Sequence, residues 1–248
     1  MATSILKWEG EMKFMCSLCP DTGLSRRLFV CTGAAALITA PLVRTAQAQP
    51  GRSAETPDAA LNLLIEGNAR YVANQMRERD FSAGRAARAR GQAPFAAILG
   101  CADSRVAPEL AFDQPPGELF VVRVAGNFVT PDGLGSLEYG AAVLGTKVIM
   151  VLGHTSCGAV NATTEALQKG NTLPGHIADL VRAMKPAIEP ALKETGGDLA
   201  QRATIANVRY NVQRLREAKP ILADMVAGGK LRVVGGVYDL ATGKVSIV

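Results

Sequence analysis

Ile98-Leu99-Gly100-Cys101 and Val151-Leu152-Gly153-His154 are the two stretches on which the reading of this chain turns. Each is an apolar run ending in glycine, followed by a side chain able to bind a metal. Uniformly apolar runs of this length suit strands buried on both faces, because a parallel sheet covered by helices has no polar side to alternate toward. In open α/β sheets, sites form beyond the carboxyl ends of the strands. Cys101 and His154 therefore leave their strands at the edge where chemistry is expected. Cys157 follows His154 closely enough for one turn to bring both side chains onto one ion.

Outward from these runs, the pattern alternates. Residues 57–75 read as an amphipathic helix, with Leu61, Leu64, Ile65, Tyr71 and Val72 at helical spacing. Residues 134–144, 159–168 and 199–217 read as helices, and 178–184 as a shorter one. Residues 119–124 form a further Val-rich strand. Residues 231–237 and 244–248 read as strands joined by a turn at Thr242-Gly243. Strands alternating with helices predict an α/β fold: a mostly parallel central sheet flanked by helices, with an antiparallel C-terminal edge.

The chain has 248 residues, of which 48% are apolar and 20% charged, as in an ordinary globular protein. Its first 48 residues read as an export leader. Ser25-Arg26-Arg27 opens an apolar run to Val43, and Ala46-Gln47-Ala48 follows as a cleavage site, the layout of a twin-arginine signal. The run is short for a bilayer span and contains Gly33 and Pro41, which argues against a stable membrane anchor. Residues 49–248 are then one domain, and the expected location is the periplasm. The formal charge is +5, and five basic against three acidic residues in the leader leave +3 on the mature chain. So small an excess does not point to nucleic acid. The basic cluster at residues 85–90 reads as a solvated helix face or loop.

Cys16, Cys19 and Cys31 leave with the leader, so only Cys101 and Cys157 remain. Two readings of this pair stand side by side. In an oxidising compartment two cysteines commonly form a disulfide. With His154 they also make a three-ligand zinc set that leaves a fourth position open, the arrangement of a catalytic site. His176 has no partner motif and reads as a solvated side chain.

Cys101-Ala102-Asp103-Ser104-Arg105 together with His154-Thr155-Ser156-Cys157 resembles the zinc motif pair of the β-class carbonic anhydrases. Gly91-Gln92-Ala93-Pro94, the run from Gly117 to Arg123, Ser136-Leu137-Glu138-Tyr139 and Gly158-Ala159 resemble further family segments in the same order. The likeness runs from about residue 57 to the C-terminus.

The resemblance implies a zinc enzyme that reversibly hydrates carbon dioxide to bicarbonate and a proton through a zinc-bound hydroxide. It implies Cys101, His154 and Cys157 as ligands of Zn2+. Asp103, paired with Arg105, would orient the nucleophile, or in a closed state leave arginine and take the fourth zinc position. Gln92 would bind substrate, in many members across a dimer interface, and Phe120 and Tyr139 would wall the pocket. A homodimer or higher even oligomer is implied as well. Two departures stand out. Ala125 replaces a pocket valine, and Ile98 stands where members with a regulatory bicarbonate site carry tryptophan, so no such regulation is expected. The competing expectations are a carbonyl sulfide or carbon disulfide hydrolase on the same scaffold, and a non-catalytic zinc or thiol protein.

Overall fold

β1 (Ala96–Gly100) and β3 (Val148–His154) lie side by side in parallel, with every residue of both strands buried. In the computed structural model, which describes residues 54–248, they form the middle of a five-stranded sheet of order β2-β1-β3-β4-β5. β2 (Leu119–Arg123) and β4 (Arg232–Tyr238) flank them in parallel, and β5 (Val245–Ile247) closes the far edge antiparallel to β4. The leader assigned to residues 1–48 lies outside the described residues.

Alternate residues of the buried strands feed two cores. Ala96, Ile98, Val148, Met150 and Leu152 pack with Leu64 of α1 (Pro57–Val72) and with Ala111 and Phe112 at the end of α3 (Pro108–Ala111). Ala97, Leu99, Ile149 and Val151 face the opposite way, onto α4 (Pro131–Ala142), α7 (Leu199–Arg216) and α8 (Ile221–Ala227). Each large side chain buried this way contributes roughly 1.5–3 kcal/mol. A third cluster forms where α5 (Gly158–Lys169), α6 (Ile177–Lys193) and α7 meet, and it includes Cys101 and Cys157. The remaining helix, α2 (Arg85–Arg88), holds the basic cluster at the surface, where Arg88 donates to the carbonyls of Phe81 and Ala83.

The strand pattern agrees with the expectation from sequence; the helices differ in several places, α4 spanning Pro131–Ala142 rather than 134–144, with α3 and α8 not predicted. α6 runs nine residues past the end of the helix predicted at 178–184 and carries Pro186 and Pro190 inside it. Both prolines sit on its exposed side, where freed carbonyls meet water. Burial of Met184, Ala187, Ile188 and Ala191 on the other side offsets a cost of about 3 kcal/mol per proline. α1 stops at Val72 rather than Gln75, because Asn74 turns left-handed at φ 53°.

Candidate metal centre

Cys101 is the first residue after β1 and His154 the last of β3. Gly100 pairs with Leu152, so parallel pairing alone delivers both side chains to one edge. The chain then turns through Ser156, at φ 54°, and sets Cys157 at the N-terminus of α5. The donor atoms of the three residues lie within 4.8 Å of one another, and the two sulfurs are 3.9 Å apart. Cys101, His154 and Cys157 are 4%, 0% and 1% exposed.

These distances separate the two readings of the cysteines. A disulfide holds its sulfurs at about 2.05 Å; here both thiols are free. Two sulfurs each about 2.3 Å from a tetrahedral zinc stand roughly 3.8 Å apart. His154 supplies a second observation. Its Nδ1 lies 2.9 Å from the carbonyl of Thr155, which only accepts, so Nδ1 carries the proton. Nε2 is left as a buried lone pair with no hydrogen-bond partner among the described residues. A buried acceptor beside two thiols is the arrangement a zinc ion satisfies, and the three residues fit that ion.

The electrostatics favour metal binding too. The hydrogen bond from Cys157 outweighs burial and pulls the Cys101 thiol down, while that same bond to Cys101, with burial, pushes Cys157 up. The pair thus gives up its first proton easily and holds its second, which a bound cation would displace. Burial pushes His154 down, but the Cys101 thiolate beside it, the Thr155 carbonyl and Asp103 together outweigh burial and raise it.

Asp103 and Arg105 stand beside the ligands. Arg105 donates through Nε to Oδ1 at 2.9 Å and through Nη2 to Oδ2 at 2.7 Å, while its backbone N–H also bonds Oδ1 at 2.9 Å. The Arg105 side chain thereby holds the Asp103 carboxyl well below the usual carboxylate range. Asp103 Oδ2 lies 3.8 Å from His154 Nε2. The carboxylate therefore meets the ligand cluster while bound to arginine.

The other sequence-predicted site residues lie elsewhere in a single chain. Phe120 and Tyr139 pack together with ring centres 6.3 Å apart. Phe120 pairs with Ala97, three positions short of Gly100 and so roughly 10 Å from the carboxyl edge. Tyr139 is 48% exposed. Gln92 is exposed in the segment entering β1, at the end of that strand opposite Cys101.

Sequence reasoning gave no role to three other residues at the centre. Arg123 donates to the carbonyls of Cys101, Asp103 and Val106 at 2.8, 2.7 and 2.9 Å, fastening the loop that carries the aspartate. The one signal for it was a charge closing an apolar strand. Gly126 donates its N–H to Cys101 Sγ at 3.3 Å, and Asn207 bonds the Gly126 carbonyl.

The family model described as carbonic anhydrase matches residues 96–245. Carbonic anhydrase 2 of Mycobacterium tuberculosis is 40% identical over 189 residues, covering 76% of this chain and 91% of that protein. The solved β-carbonic anhydrase CcaA superposes with a TM-score of 0.60 at 26% identity, over 76% of this chain and 91% of that one. A tetrameric β-carbonic anhydrase from Sordaria macrospora gives 0.59 at 25% identity, over 73% and 90%.

Proposed function

The chain belongs to the carbonic anhydrase family, in its β class, and from that premise we propose that it hydrates carbon dioxide at a zinc ion held by Cys101, His154 and Cys157. The observation that carries the metal is the 3.9 Å separation of two buried sulfurs beside the partnerless Nε2 of His154. Bound there, zinc supplies Lewis acidity that makes a hydroxide nucleophile available near neutral pH.

The chain's own groups do the rest. Asp103 stays ionised against Arg105 and presents Oδ2, an acceptor only, toward the ligand cluster. An acceptor there holds the nucleophile's proton away from the substrate and turns its lone pair toward carbon. Arg105 fixes the direction of that carboxylate, and Arg123 fixes the loop beneath it. Near-complete burial of the three ligands excludes loose water.

Gln92, Phe120 and Tyr139 are the proposed substrate contacts. Since they lie toward the amino end of the sheet within one chain, their part is proposed across a homodimer or higher even oligomer. β2 is an edge strand left half-exposed, and Tyr139 and Val143 are exposed beside it, a surface that suits a second copy. Light scattering of the purified protein tests this, and a monomer at micromolar concentration counts against it. Among the described residues no helix is long and apolar enough to cross a membrane. Export to the periplasm is proposed on the leader alone; fusing residues 1–48 to a reporter tests it, and export that survives Arg26→Lys with Arg27→Lys refutes the twin-arginine route.

The decisive experiment for function is stopped-flow carbon dioxide hydration by the zinc-loaded protein, run beside sulfide release from carbonyl sulfide and carbon disulfide. Hydration well above background is expected. Sulfide release with hydration at background refutes the proposal.

A further inference from the structure

Two buried asparagines on α7 lie against the loop that follows β2. One face of this helix buries Thr204, Asn207, Val208, Asn211, Val212 and Leu215. Val208, Val212 and Leu215 pack with the sheet, and the asparagines turn to the loop. Asn207 is 0% and Asn211 1% exposed, and an amide in such a place is costly unless its bonds are made. They are made. Asn207 Nδ2 donates to the Gly126 carbonyl at 2.8 Å. Asn211 Nδ2 donates to Asn207 Oδ1 at 3.2 Å, which points the other end of the Asn207 amide at the loop. Asn211 Oδ1 accepts from the Val129 N–H at 2.8 Å. Both ends of residues 126–129 are thereby tied to α7.

Gly126 and Asn127 turn left-handed in succession, at φ 88° and 42°. In that conformation the N–H of Gly126 points at Cys101 Sγ, 3.3 Å away. The carbonyl that Asn207 holds belongs to the same residue. A Cβ at Gly126 would run into the sulfur of Met184, so packing closes the other side of the loop.

We infer that Asn207 is a positioning residue of the metal centre: through Gly126 it keeps one N–H on the Cys101 sulfur and so sets how much electron density that sulfur gives the ion. The inference rests on the reading of Cys101, His154 and Cys157 as zinc ligands. A hydrogen bond to a ligand sulfur draws density from it, leaves more positive charge on the metal, and makes the metal the stronger Lewis acid. Asn207 itself contacts the loop and not the ligands. Its effect passes through one peptide unit.

The test replaces zinc by cobalt(II) in the full chain and compares Asn207→Leu with Asn68→Leu. Asn68 is a buried amide in the other core, bonded to Ala111, Gly243 and Val245, and a purely structural loss there resembles the one at Asn207. With N207L the sulfur-to-cobalt charge-transfer band is expected to move to longer wavelength, and a chelator to strip zinc about tenfold more readily. With N68L the melting temperature is expected to fall while band and chelator competition stay at wild type. If N207L does not fold, Asn207→Ser, whose hydroxyl is too short to reach the carbonyl, is expected to give the same two shifts. A wild-type band and competition curve in the folded variant, with only the melting temperature lowered, overturns the inference. Wild-type protein that binds cobalt without any sulfur charge-transfer band overturns the zinc-ligand reading, and the inference falls with it.

Discussion

The carboxylate of Asp103 and the guanidinium of Arg105 face each other through two parallel side-chain bonds, Nε to Oδ1 at 2.9 Å and Nη2 to Oδ2 at 2.7 Å. The same Oδ2 is 3.8 Å from His154 Nε2, so the arginine competes with the ligand cluster for one oxygen. Replacing Arg105 by Gln removes the fork and frees that oxygen to move toward the metal. Carbon dioxide hydration is expected to fall about 10–100-fold while zinc content stays at one per chain. Stopped-flow rates with metal analysis on the same sample check this.

Asp113 carries a different expectation. Its side chain is fully buried, and burial pushes its pKa up, but bonds from Arg79 and Arg70 exceed that and leave it lowered. A carboxylate lowered on folding stabilises the protein above its unfolded pKa of about 3.9 and stops doing so as pH falls through the lower folded value. Thermal stability is expected to drop as pH falls below about 4. Asp113→Asn is expected to cost about 3–5 kcal/mol at pH 7, because two arginines lose their partner, and to flatten that acid limb. Denaturant melts at several pH values measure both effects.

The two sulfurs stand 3.9 Å apart in a buried site. Closing to a bond of about 2.05 Å needs only a small side-chain shift. Chelator-treated protein exposed to a disulfide oxidant is expected to form a Cys101–Cys157 bridge, and zinc-loaded protein to resist it. Peptide mapping under non-reducing conditions distinguishes the two, and activity lost on chelation should return with zinc only where the thiols have stayed reduced.

Gly153 separates the β3 core from His154. A Cβ there would lie 2.7 Å from Val208 Cγ2 and 3.4 Å from Thr204 Cγ2. Gly153→Ala is expected to destabilise the fold by about 1–3 kcal/mol through overpacking against α7. Val208→Ala in the same chain should recover part of the loss, which a double-mutant cycle in denaturant reads directly.

The centre was readable because its elements carry local signals. Cys101 and His154 each end an apolar run, and parallel pairing turns that shared position into proximity without further information. Asp103 and Arg105 are two residues apart, within reach of each other whatever the distant fold. Length was harder wherever packing overrides local preference. Pro186 and Pro190 argue for a break, and only the buried face beside them shows why α6 continues. Asn207 and Asn211 were illegible for a related reason. Asparagines one turn apart in a helix rich in Arg and Gln look like surface, and their burial depends on where the loop after β2 passes. Phe120 and Tyr139 do meet, but their distance from the carboxyl edge follows from strand register, which composition does not reveal.

Cys101 and His154 end strands that are neighbours in space but separated in the chain by α3, β2 and α4. No local stretch alone brings the three residues together, and the contact that creates the site is among the slowest kinds to form. A zinc ion held by all three residues would therefore be taken up only after residue 157 has left the ribosome and β3 has docked on β1. Metal uptake would then mark the completion of the sheet, adding to the finished fold by mass action without helping to nucleate it.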